Sequence, residues 1–211
     1  MFELPDSTLF NRRIPKLKFY QRAAITTQLK RVFTEQISLI LWQNKLAPST
    51  LNVAAGQTVT EIQVIRIKLN QRSLDADALA LIEKEIPYHL LFLLEYADAV
   101  QAWISYKDET GALKSGVTYH TEWIPEEALP LKLDGLSMDA LYENFVRQVA
   151  GSQLMAAPDA PLADVVVQTE RRKKLLKEIA ALEKKVRNEK QFNRQVELNR
   201  ELKRLKKELD E

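Results

Sequence analysis

Four polar residues have the types and spacing that phosphodiester chemistry would use. Glu61 and Gln63 are two positions apart, so they share one face of any strand running through residues 60–69. Lys45 follows the preceding apolar segment, and Glu122 stands in Thr121-Glu122-Trp123. Clustered carboxylates hold Mg²⁺ through hard oxygen ligands, and a nearby ammonium orients the attacking water. A divergent magnesium-dependent nuclease is therefore one reading of Glu61, Gln63, Lys45 and Glu122. Two features oppose it. Residues 37–56 contain no Asp or Glu, so the strand before Glu61 brings no second carboxylate, and Gln63 stands where such a site places a lysine. Polar side chains at an exposed strand end are the stronger expectation, with no catalytic residue, no metal site and no cofactor.

Other chemistries find less support. His89 and His120 lack the close pairing of a zinc site, and the absence of cysteine removes thiolate nucleophiles and every cysteine-ligated metal. No G-x-S-x-G elbow, P-loop or G-x-G-x-x-G occurs among the five glycines.

Binding chemistry is better represented. Arg171, Arg172, Lys173 and Lys174 form one basic run, and Lys203, Arg204, Lys206 and Lys207 form another. Such runs neutralise phosphates, though Phe192 is the single aromatic near them, so contact would follow the backbone of DNA or RNA rather than its bases. A solvated helical face that meets a partner protein explains them equally well. Near the other end, Arg12, Arg13, Lys16, Lys18 and Arg22 are interleaved with Phe10, Phe19 and Tyr20, a pattern suited to nucleic acid or to aromatics packing on the domain.

The elements that must carry these residues follow from periodicity. Residues 4–15 read as irregular. Tyr20 to Gln36 places Ile25, Leu29, Val32 and Phe33 on one helical face. Ile37–Trp42 is an apolar, strand-sized run, and Thr60–Leu69 is a second strand whose faces each change polarity, as in a strand leaving the core. Ser73 or Asp75 caps a helix that stops at Pro87. Strands are expected at His89–Tyr96, Val100–Lys107 and Ser115–Trp123, with turn chemistry at 108–111, then a helix over Met138–Val149. The order α-β-β-α-β-β-β-α predicts an α/β (α+β) domain over 1–150 with a mixed, partly antiparallel sheet.

A linker is expected over 151–165 and a charged helical tail over 166–211. In the tail, Leu175, Ile179, Leu182 and Val186 make one seam, and Leu198, Leu202, Leu205 and Leu209 make another out of phase with it. The phase break within 187–193 fits an antiparallel hairpin better than a single straight rod, with a rod carrying a local stutter as the alternative. Charge is partitioned likewise: net +5 over residues 1–46, −9 over 47–167 and +6 over 168–211. No run is long and apolar enough for a membrane span, and the N-terminus lacks a signal core, so a cytoplasmic location and no membrane partner are expected.

Several segments taken together resemble a bacterial family, the domain of unknown function 4391. They include Phe10-Asn11-Arg12-Arg13-Ile14-Pro15-Lys16, residues 42–52, Glu61-Ile62-Gln63-Val64, Ile86-Pro87-Tyr88, Thr121-Glu122-Trp123 and residues 135–143, and the resemblance covers nearly the whole chain. It implies no activity. It does imply company with helicases and DNA methyltransferases in defence or mobile regions, and so a protein partner of that type. The resulting expectation is a non-catalytic accessory or adaptor protein of a defence or restriction-modification type assembly. A homo-oligomeric scaffold joined through the tail's apolar seam is a further alternative.

Overall fold

The computed structural model describes residues 4–22, 25–107 and 113–210. The chain forms two compact units, Met1–Gly151 and Ser152–Glu211.

The first unit is built on a six-stranded mixed sheet: β1 (Leu9–Arg13), β2 (Ile37–Leu46), β3 (Ile62–Leu69), β4 (His89–Tyr96), β5 (Ala99–Lys107) and β6 (Leu113–His120). The strands lie side by side in chain order, antiparallel throughout except β3 against β4. That one parallel pair needs a crossover, which α4 (Ala76–Glu85) supplies, capped by Asp75 accepting from the Asp77 amide. The β4–β5 turn is tight enough that Ala97 takes a left-handed φ of 51°.

Alternation along β3 and β4 sends apolar side chains to both faces. On one face Ile65, Ile67, Leu90, Phe92 and Leu94 pack with Phe33 of α2 (Thr27–Glu35) and with Leu79 and Ile82 of α4. The other face is covered by α5 (Met138–Ala150), whose Leu141, Phe145 and Val149 are buried. Ser137 caps α5 by accepting from the Ala140 amide. Gly135, just before it, has φ +141°, and a side chain there would meet the Leu141 amide at 2.7 Å.

Three expectations change. Residues 4–15 are not irregular throughout: Leu9–Arg13 is an edge strand, with a bulge between Leu9 and Arg12 at which Asn11 adopts φ 46°. The helix expected over 20–36 is two, α1 (Leu17–Arg22) and α2, the second starting at a Thr26 cap. And β3 does not leave the core. Gln63 has no exposed surface, and Arg66 is buried because its guanidinium bonds Gln43 (2.6 Å), Glu95 (3.1 Å) and Glu126 (2.6 Å). A single turn of helix, α3 (Pro48–Leu51), follows β2. The turn expected at 108–111 lies outside the described residues.

The second unit contains α6 (Leu162–Asn188) and α7 (Phe192–Asp210), which pack as an antiparallel hairpin and not as one stuttered rod. Leu175, Ile179, Leu182 and Leu205 are its buried core, with Leu198, Leu202 and Leu209 packed against them. At the bend, the Glu189 carboxylate accepts from the amides of Lys190 and Gln191 (2.8 and 2.9 Å).

Candidate nucleic-acid interface

The structure joins three of the four nuclease candidates. Lys45 and Gln63 are register partners on β2 and β3, and Glu61 stands just ahead of β3. The Lys45 ammonium pairs with Glu61 at 2.7 Å, Gln63 Nε2 donates to Glu61 Oε2 (2.9 Å), and Trp42 Nε1 donates to Gln63 Oε1 (2.9 Å). Glu122 is elsewhere. It follows β6 just beyond Thr121, whose amide bonds Ala102, and Ala102 pairs through Leu93 with Arg66. That row is five residues along β3 from Glu61, roughly 17 Å at the rise of a strand, and three strands across. The four-residue magnesium cluster is therefore not assembled, because the order of β4, β5 and β6 carries Glu122 away. Among the described residues no three His, Cys, Asp or Glu side chains stand close enough to share a cation.

The hairpin presents a more organised surface. With Leu175, Ile179 and Leu182 facing α7, helical geometry divides the remaining residues of α6 between two broad faces. One face carries Lys173, Ala180 and Arg187 beside Leu176 and Glu183. The other carries Lys174, Ala181, Glu178 and Lys185. Two cross-helix ion pairs fix the corresponding faces of α7: Glu183–Lys206 (2.7 Å) on the first and Arg171–Glu208 (2.7 Å) on the second. The first face thus gathers Lys173, Arg187 and Lys203, flanked by Lys177, Lys184 and Arg200 on the outer rows, and its Glu183 is already paired. All six cations are exposed. The second face mixes Lys174, Lys185 and Arg204 with Glu178, Glu197, Glu201 and Glu208.

This arrangement redistributes the basic runs read from sequence. Arg171 and Arg172 are engaged within the hairpin, the latter donating to the Leu209 carbonyl (3.4 Å), Lys173 pairs with Glu170 and Lys206 with Glu183. Lys203, Arg204 and Lys207 are exposed on α7, Lys174 on α6. Lys177, Lys184, Arg187 and Arg200 were missed, although the heptad phase locates them; adjacency in sequence conceals a face that returns every three or four residues.

In the N-terminal set, the β1 bulge lays the Arg12 guanidinium over the Phe10 ring (4.9 Å), and Phe10 packs on Trp42 (ring centroids 4.4 Å). Arg13 is exposed at the end of β1. Lys16 donates to the Ile37 carbonyl, and burial followed by the Arg13 charge lowers its pKa.

Comparison with known proteins follows the same segments. Residues 2–209 match the model of a family described as Domain of unknown function (DUF4391). The chain belongs to this family. No curated protein and no solved structure matches it. Among the described residues, no helix is long and apolar enough to cross a membrane.

Three further ionisable groups in this family member are buried or anchored. Glu83 of α4 is buried and accepts from Ser105 (2.8 Å); burial raises its carboxyl pKa. His89 packs edge-on against Tyr142 (4.5 Å), and its buried Nε2 has no hydrogen-bond partner. Asp139, in the first turn of α5, accepts from the amides of Gln57 (2.6 Å), Thr58 (3.2 Å) and Val59 (2.8 Å). Burial pushes the Asp139 carboxyl up, and those three amides outweigh it, holding the pKa below its ordinary value. Gly56 completes the contact, since a Cβ there would sit 2.5 Å from Asp139 Oδ1. Asp139→Ala is expected to cost about 2–4 kcal/mol, because three charge-assisted bonds are lost together. Hydrogen exchange at the Gln57, Thr58 and Val59 amides should rise sharply in that variant, and Asp139→Asn should recover part of the protection.

Proposed function

We propose that this protein is a non-catalytic accessory subunit of a nucleic-acid-processing assembly, and that the basic face of its C-terminal hairpin holds the phosphate backbone of DNA or RNA. The observation that carries this reading is the sorting of charge between the two faces of the hairpin. Random placement of the tail's lysines and glutamates would leave both faces mixed. Instead the acidic residues are concentrated on one face or paired, and Lys177, Lys184, Arg187, Arg200 and Lys203 remain on the other together with Lys173, which pairs with Glu170. From Lys173 to Arg187 that face is roughly 21 Å long at 1.5 Å per residue, enough to meet several phosphates of a duplex. Phe192 is exposed, but it sits at the bend, so contact is with the backbone and tolerant of sequence.

The scaffold alternative loses its main support, because the apolar seam it would use is filled by the hairpin's own second helix. A helicase- or methyltransferase-type protein remains the proposed partner, as the family resemblance implies, and would contribute the chemistry.

The test is a titration of labelled duplex DNA and duplex RNA with the full chain at about 50 mM salt. Saturable binding with Kd in the micromolar range or tighter supports the reading. No binding to either duplex ends it and leaves the hairpin as a protein-contact element.

A further inference from the structure

We propose that the pocket between α1, the end of α4 and the β2–β3 face takes one unpaired base of a single-stranded nucleic acid. This rests on the reading of the protein as nucleic-acid-binding. The pocket has a volume of about 220 Å³, and Ile14, Lys18, Phe19, Trp42, Pro87 and Tyr88 are among the residues lining it. An apolar cavity of about 150 Å³ accommodates benzene, so this one has room for a single flat heterocycle. It is smaller than the roughly 300–1,000 Å³ typical of sites for larger ligands.

Its walls suit stacking. Trp42 is held in place from two sides: Phe10 packs on it, and its Nε1 donates to Gln63, which is fixed in turn by Glu61 and Lys45. The indole lines the pocket with its polar edge already bonded to Gln63, a second lining residue. Gln63 has no exposed surface, so its carboxamide acts as a brace and does not read a base edge. Recognition is then by stacking, which every base supports. Charge identifies the guest further. Lys18 is the cation of the lining and Glu85 its one carboxylate, while Arg12 lies over Phe10, one ring removed from Trp42. A neutral apolar guest needs no cation, whereas a base arrives with its phosphates. A duplex keeps its bases stacked and paired, so the pocket distinguishes single strands.

The experiment uses the full chain and three labelled ligands of equal length: oligothymidylate, an abasic oligomer with the same backbone, and a duplex. The wild-type chain should bind oligothymidylate about tenfold more tightly than the abasic oligomer, the effect of losing one stacked base. Tyr88→Ala, at a rim residue 37% exposed, and Trp42→Leu should each reduce oligothymidylate to the abasic level and leave duplex binding unchanged. If Trp42→Leu does not fold, Tyr88→Ala decides. Equal binding of oligothymidylate and the abasic oligomer by wild type, or no change in Tyr88→Ala, overturns the pocket. Duplex binding with a ratio of one would remove the pocket alone; no binding of any ligand would remove the hairpin interface as well.

Discussion

Arg66→Ala is expected to destabilise the sheet unit by about 3 kcal/mol, shown as a lower midpoint in urea with an unchanged slope. Arg66 lies on central strand β3, and its three nitrogens are each used: Gln43 on β2, Glu95 on β4 and Glu126 beyond β6. Truncation leaves Glu126 without its cation and Glu95 with Lys68 alone (3.0 Å). The two carboxylates retain some contact with water, side chains 24% and 37% exposed, so the loss falls at or below the roughly 3–5 kcal/mol of a fully buried pair. Arg66→Met, which keeps the aliphatic stem against the sheet, should lose less than Arg66→Ala. A loss within 0.5 kcal/mol for Arg66→Ala would show that the network does not hold β2, β3 and β4 together.

Stability should also fall as pH drops from about 6.5 toward 4, because of His89. Burial, then the charge of Lys107, lower the His89 pKa to about 4, with Asp139 opposing them. Above pH 6.5 neither the folded nor the unfolded chain carries the proton. Below it the unfolded imidazole is protonated and the folded one is not, so folding is progressively disfavoured until the folded group titrates near 4. The difference in pKa corresponds to about 3 kcal/mol across that window. Glu83 works in the opposite direction. Its raised pKa contributes stability at low pH that is lost as pH rises through the folded value. The comparison that isolates His89 is wild type against His89→Phe, which keeps a ring against Tyr142. Wild-type stability should fall relative to that of His89→Phe from pH 7 to pH 4.5, and parallel curves would refute the assignment.

Much of the architecture was legible because it rests on local patterns. The apolar runs of β2 and β4, the cap expected at Ser73 or Asp75, and the phase break between the two tail seams each have a short-range cause. β1 was not legible. Its five residues are mostly exposed and polar, and it is a strand only because β2 offers an edge. Gln63 and Arg66 misled for a related reason: a polar residue in a strand reads as exposed until its partners on neighbouring strands are known. The same holds for Glu122, whose distance from Glu61 depends on strand order across the sheet. The basic face of the hairpin lay within reach of the sequence, since Lys177, Lys184 and Arg200 follow from the heptad phase once the runs at 171–174 and 203–207 are read as positions on a helix.

The most direct test of the account is duplex binding over a salt series, comparing wild type with a chain carrying Lys177→Glu, Lys184→Glu, Arg200→Glu and Lys203→Glu. These side chains are exposed and outside the seam, so the hairpin should persist, as its helical circular dichroism would report. Contact between about six cations and phosphates predicts a slope of log K on log salt near −5 for wild type, reduced in magnitude by about 3 to 4 in the reversed chain, with affinity at least about a hundredfold weaker. Overlapping lines for the two chains, or a wild-type slope near zero, would contradict a phosphate-holding hairpin.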